Sequence, residues 1–248
     1  MLADIDALSV LEGFIADEVI DEVVGLVKSG KEAVVYLARK RPAEAGPHLF
    51  AAKIYKDTTH RSFRDDSTYR AGRFILDART RRAVAAGTRH GKRASFGMWI
   101  EAEREALTRL HEAGADVPRL IAARGNVILM EYIGDEDGPA PMLRKVRLKR
   151  KEAARAFQRV VANLAILLEV GIVHADLSPY NMLYWDGEIS IIDFPQAVDL
   201  YKNPNAVELF ARDVKNICDF FARFGVNCSA RGMLRHFEEL LPRRLILR

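Results

Sequence analysis

Asp193 stands twelve residues after Asn181, and what lies between leaves few folds open. Met182-Leu183-Tyr184-Trp185 is a short apolar run, Asp186-Gly187 follows it, and residues 189–193 form a second run. An Asp-Gly pair between two such runs is a strong signal for a tight hairpin. Antiparallel strands joined this way return the chain beside its start. Asn181 and Asp193 are therefore expected to come together at the open end of the hairpin.

The rest of the chain supplies a setting for that hairpin. Ile5, Leu8, Leu11 and Ile15 have the spacing of a short amphipathic helix over 4–16. Val23-Val24 with Leu26-Val27, and then Val34-Val35-Tyr36-Leu37, read as two strands joined at Ser29-Gly30. Leu49–Tyr55 is a third strand with Lys53 inside it, and Asn126–Ile133 is another. Residues 98–113 are rich in Ala, Glu, Arg and Leu and read as a helix that Gly114 can end. A longer helix is expected over 149–170 with Gly171 as its cap, and further helices over 206–224 and 229–241. Between them, residues 57–97 carry ten Lys and Arg against four Asp, with glycines at 72, 87, 91 and 97. They read as an exposed, partly mobile insertion. Strands dominate up to Ile133 and helices dominate after it. The expectation is one α+β domain over 1–248, with a β-rich N-lobe (1–133, including the loop 57–97) and a mostly α-helical C-lobe (134–248).

Composition narrows the function. With 49% hydrophobic and 29% charged residues the chain is an ordinary globular protein rather than a disordered one. Its net charge of +4 permits a polyanionic partner without demanding one. Cys218 and Cys228, ten apart, have neither C-x-x-C spacing nor a nearby histidine pair, which argues against a disulfide framework or a zinc site. No apolar run is long enough to span a membrane, and the acidic start lacks the basic opening of a signal peptide. A cytoplasmic protein is expected, with nothing pointing to DNA.

The chemistry sits in H-x-D-x-x-x-x-N, filled by His174, Asp176 and Asn181, with Asp193 beyond it. Phosphoryl transfer needs phosphate charge neutralised and a hydroxyl or water aligned for in-line attack. Asn181 and Asp193 offer two oxygen donors to Mg²⁺, a hard cation that keeps few protein ligands. Asp176 is then free to accept the nucleophile's proton. An isolated D-x-x-x-x-N most often only stabilises turns. Three further elements in the right order change that balance. Lys53 within a strand could hold phosphates, although alternation also allows it a solvent-facing place. Glu103, with Leu107 one helical turn later, could pair with Lys53, and Glu101 and Glu105 compete for the role. The turn Ser29-Gly30-Lys31-Glu32-Ala33 could cover phosphates through backbone amides and the Ser29 hydroxyl, with Lys31 beside them. It is neither G-x-G-x-x-G nor a Walker A loop, and an ordinary hairpin turn is the plainer reading.

Taken together, these residues resemble the RIO kinases, a group of atypical serine/threonine protein kinases, and the type-one branch in particular. The resemblance covers nearly the whole chain. It rests on Ser29–Ala33, Ala52-Lys-Ile-Tyr-Lys56, the run from Trp99 to Leu110, Val127–Gly134, Ala140-Pro141, His174–Asn181 and Ile192-Asp-Phe-Pro-Gln196. It implies a two-lobed protein-kinase-like fold that uses ATP with Mg²⁺, or Mn²⁺ in its place. Under it, Lys53 binds phosphate and Glu103 pairs it. Asp176 is the catalytic base, Asn181 and Asp193 hold the metal, and Asp193 is also a transient phosphate acceptor. Met130 lies behind adenine, which the backbone of Glu131 and Ile133 binds. The segment 57–97 is the family's flexible loop, with Ser62, Ser67 and Ser95 as candidate autophosphorylation sites. Three departures stand out. Ala175 replaces the usual glycine, Pro179 replaces the usual glutamate, and Phe194-Pro195 is similar to the type-two branch, although the N-terminal winged-helix domain of that branch is not expected here.

Two other functions remain in view. The resemblance, with the basic stretch Arg144–Lys151 and Arg155 and Arg159 beyond it, would suit an ATPase-timed assembly factor on the small ribosomal subunit or its rRNA. Such a stretch is more often a solvated helix start. Small-molecule kinases of aminoglycoside or choline type share H-x-D-x-x-x-x-N. Their acidic substrate pocket is not suggested by the basic end Arg243–Arg248.

Overall fold

The structure, a computed structural model, describes residues 2–41, 48–56 and 78–241. It is α+β, with one five-stranded antiparallel sheet, three short two-stranded ones and several helices. The described chain divides into two compact units, one of residues 2–41, 48–56, 78–104 and 118–139, the other of 105–117 and 140–241.

In the first unit β1 (Glu22–Ser29), β2 (Ala33–Arg39), β3 (Leu49–Tyr55), β4 (Leu120–Arg124) and β5 (Val127–Glu131) form a sheet in the order β1-β2-β3-β5-β4, and β6 (Gly134–Asp135) pairs with β7 (Gly138–Pro139) after it. Helix α1 (Leu2–Ala16) lays Leu11 and Phe14 against it. With Ile20, Ala38, Phe50, Ala52, Ile54, Val127 and Leu129 they make one buried cluster. Each fully buried Val, Leu, Ile or Phe side chain there contributes roughly 1.5–3 kcal/mol of transfer free energy. The central strand β3 alternates clearly: Ala52 and Ile54 face this cluster, while Lys53 and Tyr55 point to the other face.

The segment 78–97 differs from the expected loop. It holds α2 (Ala78–Ala85) and the start of α3 (Arg89–Glu112), which begins nine residues before Met98. Gly91 explains the difference. A Cβ there would stand 2.1 Å from the Ala83 carbonyl oxygen, so glycine is what lets the two helices touch. In the sequence this glycine reads as a loop signal, yet it is a packing contact. Ser95, a candidate modification site, is buried within α3. Ser62 and Ser67, and the basic end 243–248, lie outside the described residues.

The second unit is built on α4 (Arg150–Val170) and α5 (Ala206–Ala222), with α6 (Ala230–His236) after them. Phe157 of α4 meets Phe221 of α5 edge to face, ring centres 5.4 Å apart. Gly171 ends α4 at φ +78°, and its N–H bonds back to the last turn. The chain continues through β8 (Ile172–Val173) to the hairpin of β9 (Met182–Trp185) and β10 (Glu188–Ile191). Asp186 at φ +48° and Gly187 at φ +85° make its two-residue turn. Asp116 ties that hairpin to α4. Its carbonyl accepts from Ile191 N, and its carboxylate takes Arg159 and Asn163 of the helix.

Candidate active site

In the first unit Lys53 donates to Glu103 at 2.8 and 3.0 Å. The lysine side chain is 12% exposed and the glutamate 1%, so each charge has its partner in a setting where an unpaired one would be costly. Glu103 also accepts from the Tyr55 hydroxyl. Lys53 and Tyr55 are two apart on β3 and share a face, so one carboxylate braces both. Of the three glutamates that competed for Lys53, Glu101 pairs with Arg104 and Glu105 with Arg109.

The Ser29–Ala33 turn is a hairpin closed by Gly30 N to Ala33 O at 2.9 Å. Lys56, from the end of β3, secures it. Its ammonium donates to Gly30 O at 2.8 Å and to Ser29 Oγ at 3.4 Å, and its N–H reaches Glu32 O. Because Ser29 Oγ accepts here, its own proton stays available. Met130 is buried on β5. The Glu131 and Tyr132 amides are taken up by Arg119 O and Leu49 O, whereas the Ile133 N–H meets no acceptor among the described residues.

In the second unit the His174–Asn181 loop is held from two sides. Ala175 N and Leu177 N both donate to Asp213 of α5, each at 2.8 Å. Arg212 donates to Ala175 O, and Asn216 Nδ2 to Leu177 O at 3.1 Å. Burial pushes the Asp213 carboxyl up to about 7, against the pull of the two amides and nearby Arg212, which favour its ionised form. His174 braces the other side. Its Nε2 donates to Ile192 O at 3.1 Å and its Nδ1 accepts from Asp176 N at 3.3 Å, so the ring is neutral. Burial lowers its pKa in agreement. Ala175 sits at φ +66°, the left-handed region where glycine costs least, which gives the departure from the family's usual glycine a physical meaning.

These braces leave Asp176 exposed at the loop surface. Asn181 Nδ2 donates to the Asp176 main-chain oxygen at 2.8 Å and to its carboxylate at 3.2 Å. With both amide hydrogens engaged there, Asn181 keeps its side-chain oxygen for a ligand. Ile192 N to Asn181 O at 3.0 Å extends the β9–β10 ladder and sets Asp193, at φ +74°, next to Asn181. No group of three or more His, Cys, Asp or Glu placed to hold a metal ion together occurs among the described residues. A two-ligand protein site is what Mg²⁺ tolerates, because it keeps waters and substrate oxygens in its shell.

Comparison with known proteins bears on these two constellations. The sequence profile of the RIO domain matches residues 34–233. The chain belongs to the RIO domain family. It is 36% identical over 225 residues to "Serine/threonine-protein kinase rio1" of Schizosaccharomyces pombe, covering 88% of this chain and 42% of that one. The human "Serine/threonine-protein kinase RIO1" is 36% identical over 84% of this chain and 34% of its own. The "RIO-type serine/threonine-protein kinase Rio1" of Methanocaldococcus jannaschii is 34% identical over 92% of this chain and 73% of its own. This RIO domain thus spans about two fifths or less of the two eukaryotic relatives named here. Relatives named Rio1 match at 33–36% and those named RIO3 at 30–31%, which puts it on the type-one side. The match does not favour a small-molecule kinase. No helix among the described residues is long and apolar enough to cross a membrane.

Asp213, Arg212, Asn216, Tyr55 and Lys56 are the residues that sequence reasoning missed. The first three act on backbone groups about forty residues away, and nothing in a motif marks such a contact. Lys56 and Tyr55 do lie in the run Ala52–Lys56 on which the resemblance rests.

Proposed function

We propose that this RIO domain transfers the γ-phosphoryl group of ATP to serine or threonine hydroxyls of proteins, and to water when no hydroxyl is bound. The buried Lys53–Glu103 pair carries the reading, since it fixes a cation where a lysine would otherwise be costly to keep. Lys53 holds the α- and β-phosphates, and Ser29 with Lys31 lies over them. Ile133 N–H and the Glu131 backbone take adenine, with Met130 behind it. Asn181 and Asp193 hold Mg²⁺, which supplies charge for the phosphates. Asp176 orients the acceptor hydroxyl and takes its proton as the new O–P bond forms and the bond to the β-phosphate oxygen breaks, releasing ADP. Asn181, bonded to Asp176, keeps that carboxylate aimed. Two free thiols, Cys218 and Cys228, suit a reducing, cytoplasmic setting.

Transfer of radiolabelled phosphate from ATP to the chain itself and to general protein substrates tests this. Asp176→Asn should lower transfer by roughly 100-fold or more while ATP binding persists. Near-parental transfer by that variant would sink the proposal.

A further inference from the structure

An open cavity of about 630 Å³ lies in the second unit, and its lining includes Arg144, Lys145, Arg147, Arg223, Tyr180 and Phe220. The lining holds four cations and no carboxylate. None of the four pairs with an acidic side chain among the described residues. Arg144 lies 6.0 Å from the Tyr180 ring centre and Arg223 lies 5.0 Å from that of Phe220. Such cations stack on rings and leave their N–H donors directed elsewhere.

The cavity is joined to the loop that carries Asp176. Arg144 N donates to Pro179 O at 2.9 Å, and Tyr180, 57% exposed, directly precedes Asn181. Helix α5 supplies Phe220 to the floor and also bonds the same loop through Asp213 and Asn216. A ligand held here therefore sits against the loop that orients the phosphate acceptor.

We infer that this cavity is a specificity subsite for acidic residues flanking the acceptor serine or threonine of a protein substrate. The inference rests on the proposed transfer to a protein hydroxyl. Four unpaired cations over an aromatic floor suit carboxylate side chains on a peptide whose apolar parts contact Phe220 and Phe224. Single-stranded RNA is the weaker match. Sites for it track a backbone along a basic groove and stack successive bases on several aromatic faces, and here one exposed ring, Tyr180, is available.

The test is fluorescence anisotropy with three labelled probes: a short peptide with one serine among glutamates, the same peptide with glutamines, and an oligouridine. The glutamate peptide should bind roughly tenfold more tightly than the glutamine one, a difference of about 1.4 kcal/mol. The double variant Arg147→Glu, Arg223→Glu should abolish the preference, and Arg147→Lys, Arg223→Lys should retain most of it. Equal binding of the two peptides overturns the inference, as does a preference that survives charge reversal. Oligouridine binding tighter than the glutamate peptide, with the same response to charge reversal, overturns the peptide assignment in favour of RNA. Phosphate transfer to both peptides is measured in parallel. Selective binding without any transfer leaves the subsite standing and removes the proposed function. Transfer to both peptides alike, with equal binding, does the reverse.

Discussion

The Tyr55 hydroxyl donates to Glu103, the same buried carboxylate that receives Lys53. Glutamate alone would pair the lysine. With tyrosine added, Oε2, which already takes the longer of the two lysine bonds, accepts a second donor, and the carboxylate is held in one orientation rather than several. Tyr55→Phe should keep the pair but loosen it, at a cost of about 1 kcal/mol in stability and a rise of a few-fold in the KM for ATP. Glu103→Gln leaves Lys53 facing a neutral amide and should cost more, roughly 1–3 kcal/mol. Denaturant melts and ATP titrations read both. Equal effects of the two substitutions would contradict the shared-carboxylate arrangement.

Asp213→Asn has a predicted sign as well as a size. An amide offers one acceptor oxygen where the carboxylate offers two, so the Ala175 or the Leu177 N–H loses its partner, costing roughly 1–3 kcal/mol. The pH dependence follows from the raised pKa. Asp213 titrates at about 7 in the fold and near 3.8 in the unfolded chain. Between these values the folded state holds more protons, so this group's contribution to stability falls as pH rises. The stability gap between parent and variant should narrow from about pH 5 to about pH 7.5. A gap that widens over that range refutes the assignment.

Two glycines of one helix should respond oppositely to alanine. At Gly91 the new methyl would overlap the Ala83 backbone, and separating α2 from α3 should cost roughly 1–3 kcal/mol. At Gly97 a Cβ meets nothing within 4 Å, and alanine should stabilise the helix by roughly 0.5–1 kcal/mol. Thermal melts of the two variants give the answer, and two changes of the same sign would count against the helix contact.

Ala175→Gly and Ala175→Val bracket the strain at φ +66°. Glycine relieves the left-handed backbone but frees the unfolded chain, so the net change should stay within about 0.5 kcal/mol. Valine, branched at Cβ and fully buried, should destabilise by roughly 2 kcal/mol or more. Comparable melts for the two variants would show that the loop is free to relax.

What could be read from the sequence followed the range of the interactions. The β9–β10 hairpin was legible because Asp186-Gly187 encodes its turn within two residues. The Lys53–Glu103 pair was legible across fifty residues because each partner carries a local signature, an apolar strand for one and an E-x-x-x-L face for the other. The helical stretch 78–97 was not legible. Its charges and glycines look like a loop until Ala83 is known to lie beside Gly91. Asp213 was hidden for a related reason. It satisfies backbone amides, and a backbone amide leaves no trace in residue identity.

The β9–β10 hairpin has one more consequence. Its register pairs Ile191 with Met182, and the ladder continues through Ile192 to Asn181. Strand side chains alternate faces with a period of two. One residue inserted into or deleted from either strand would slip this register, so Asn181 would no longer lie opposite Ile192 and Asp193 would leave its place just past the end of the ladder, although both would remain in the sequence. The hairpin is thus a ruler, and the number of residues it counts out positions its two ends as much as their identity does.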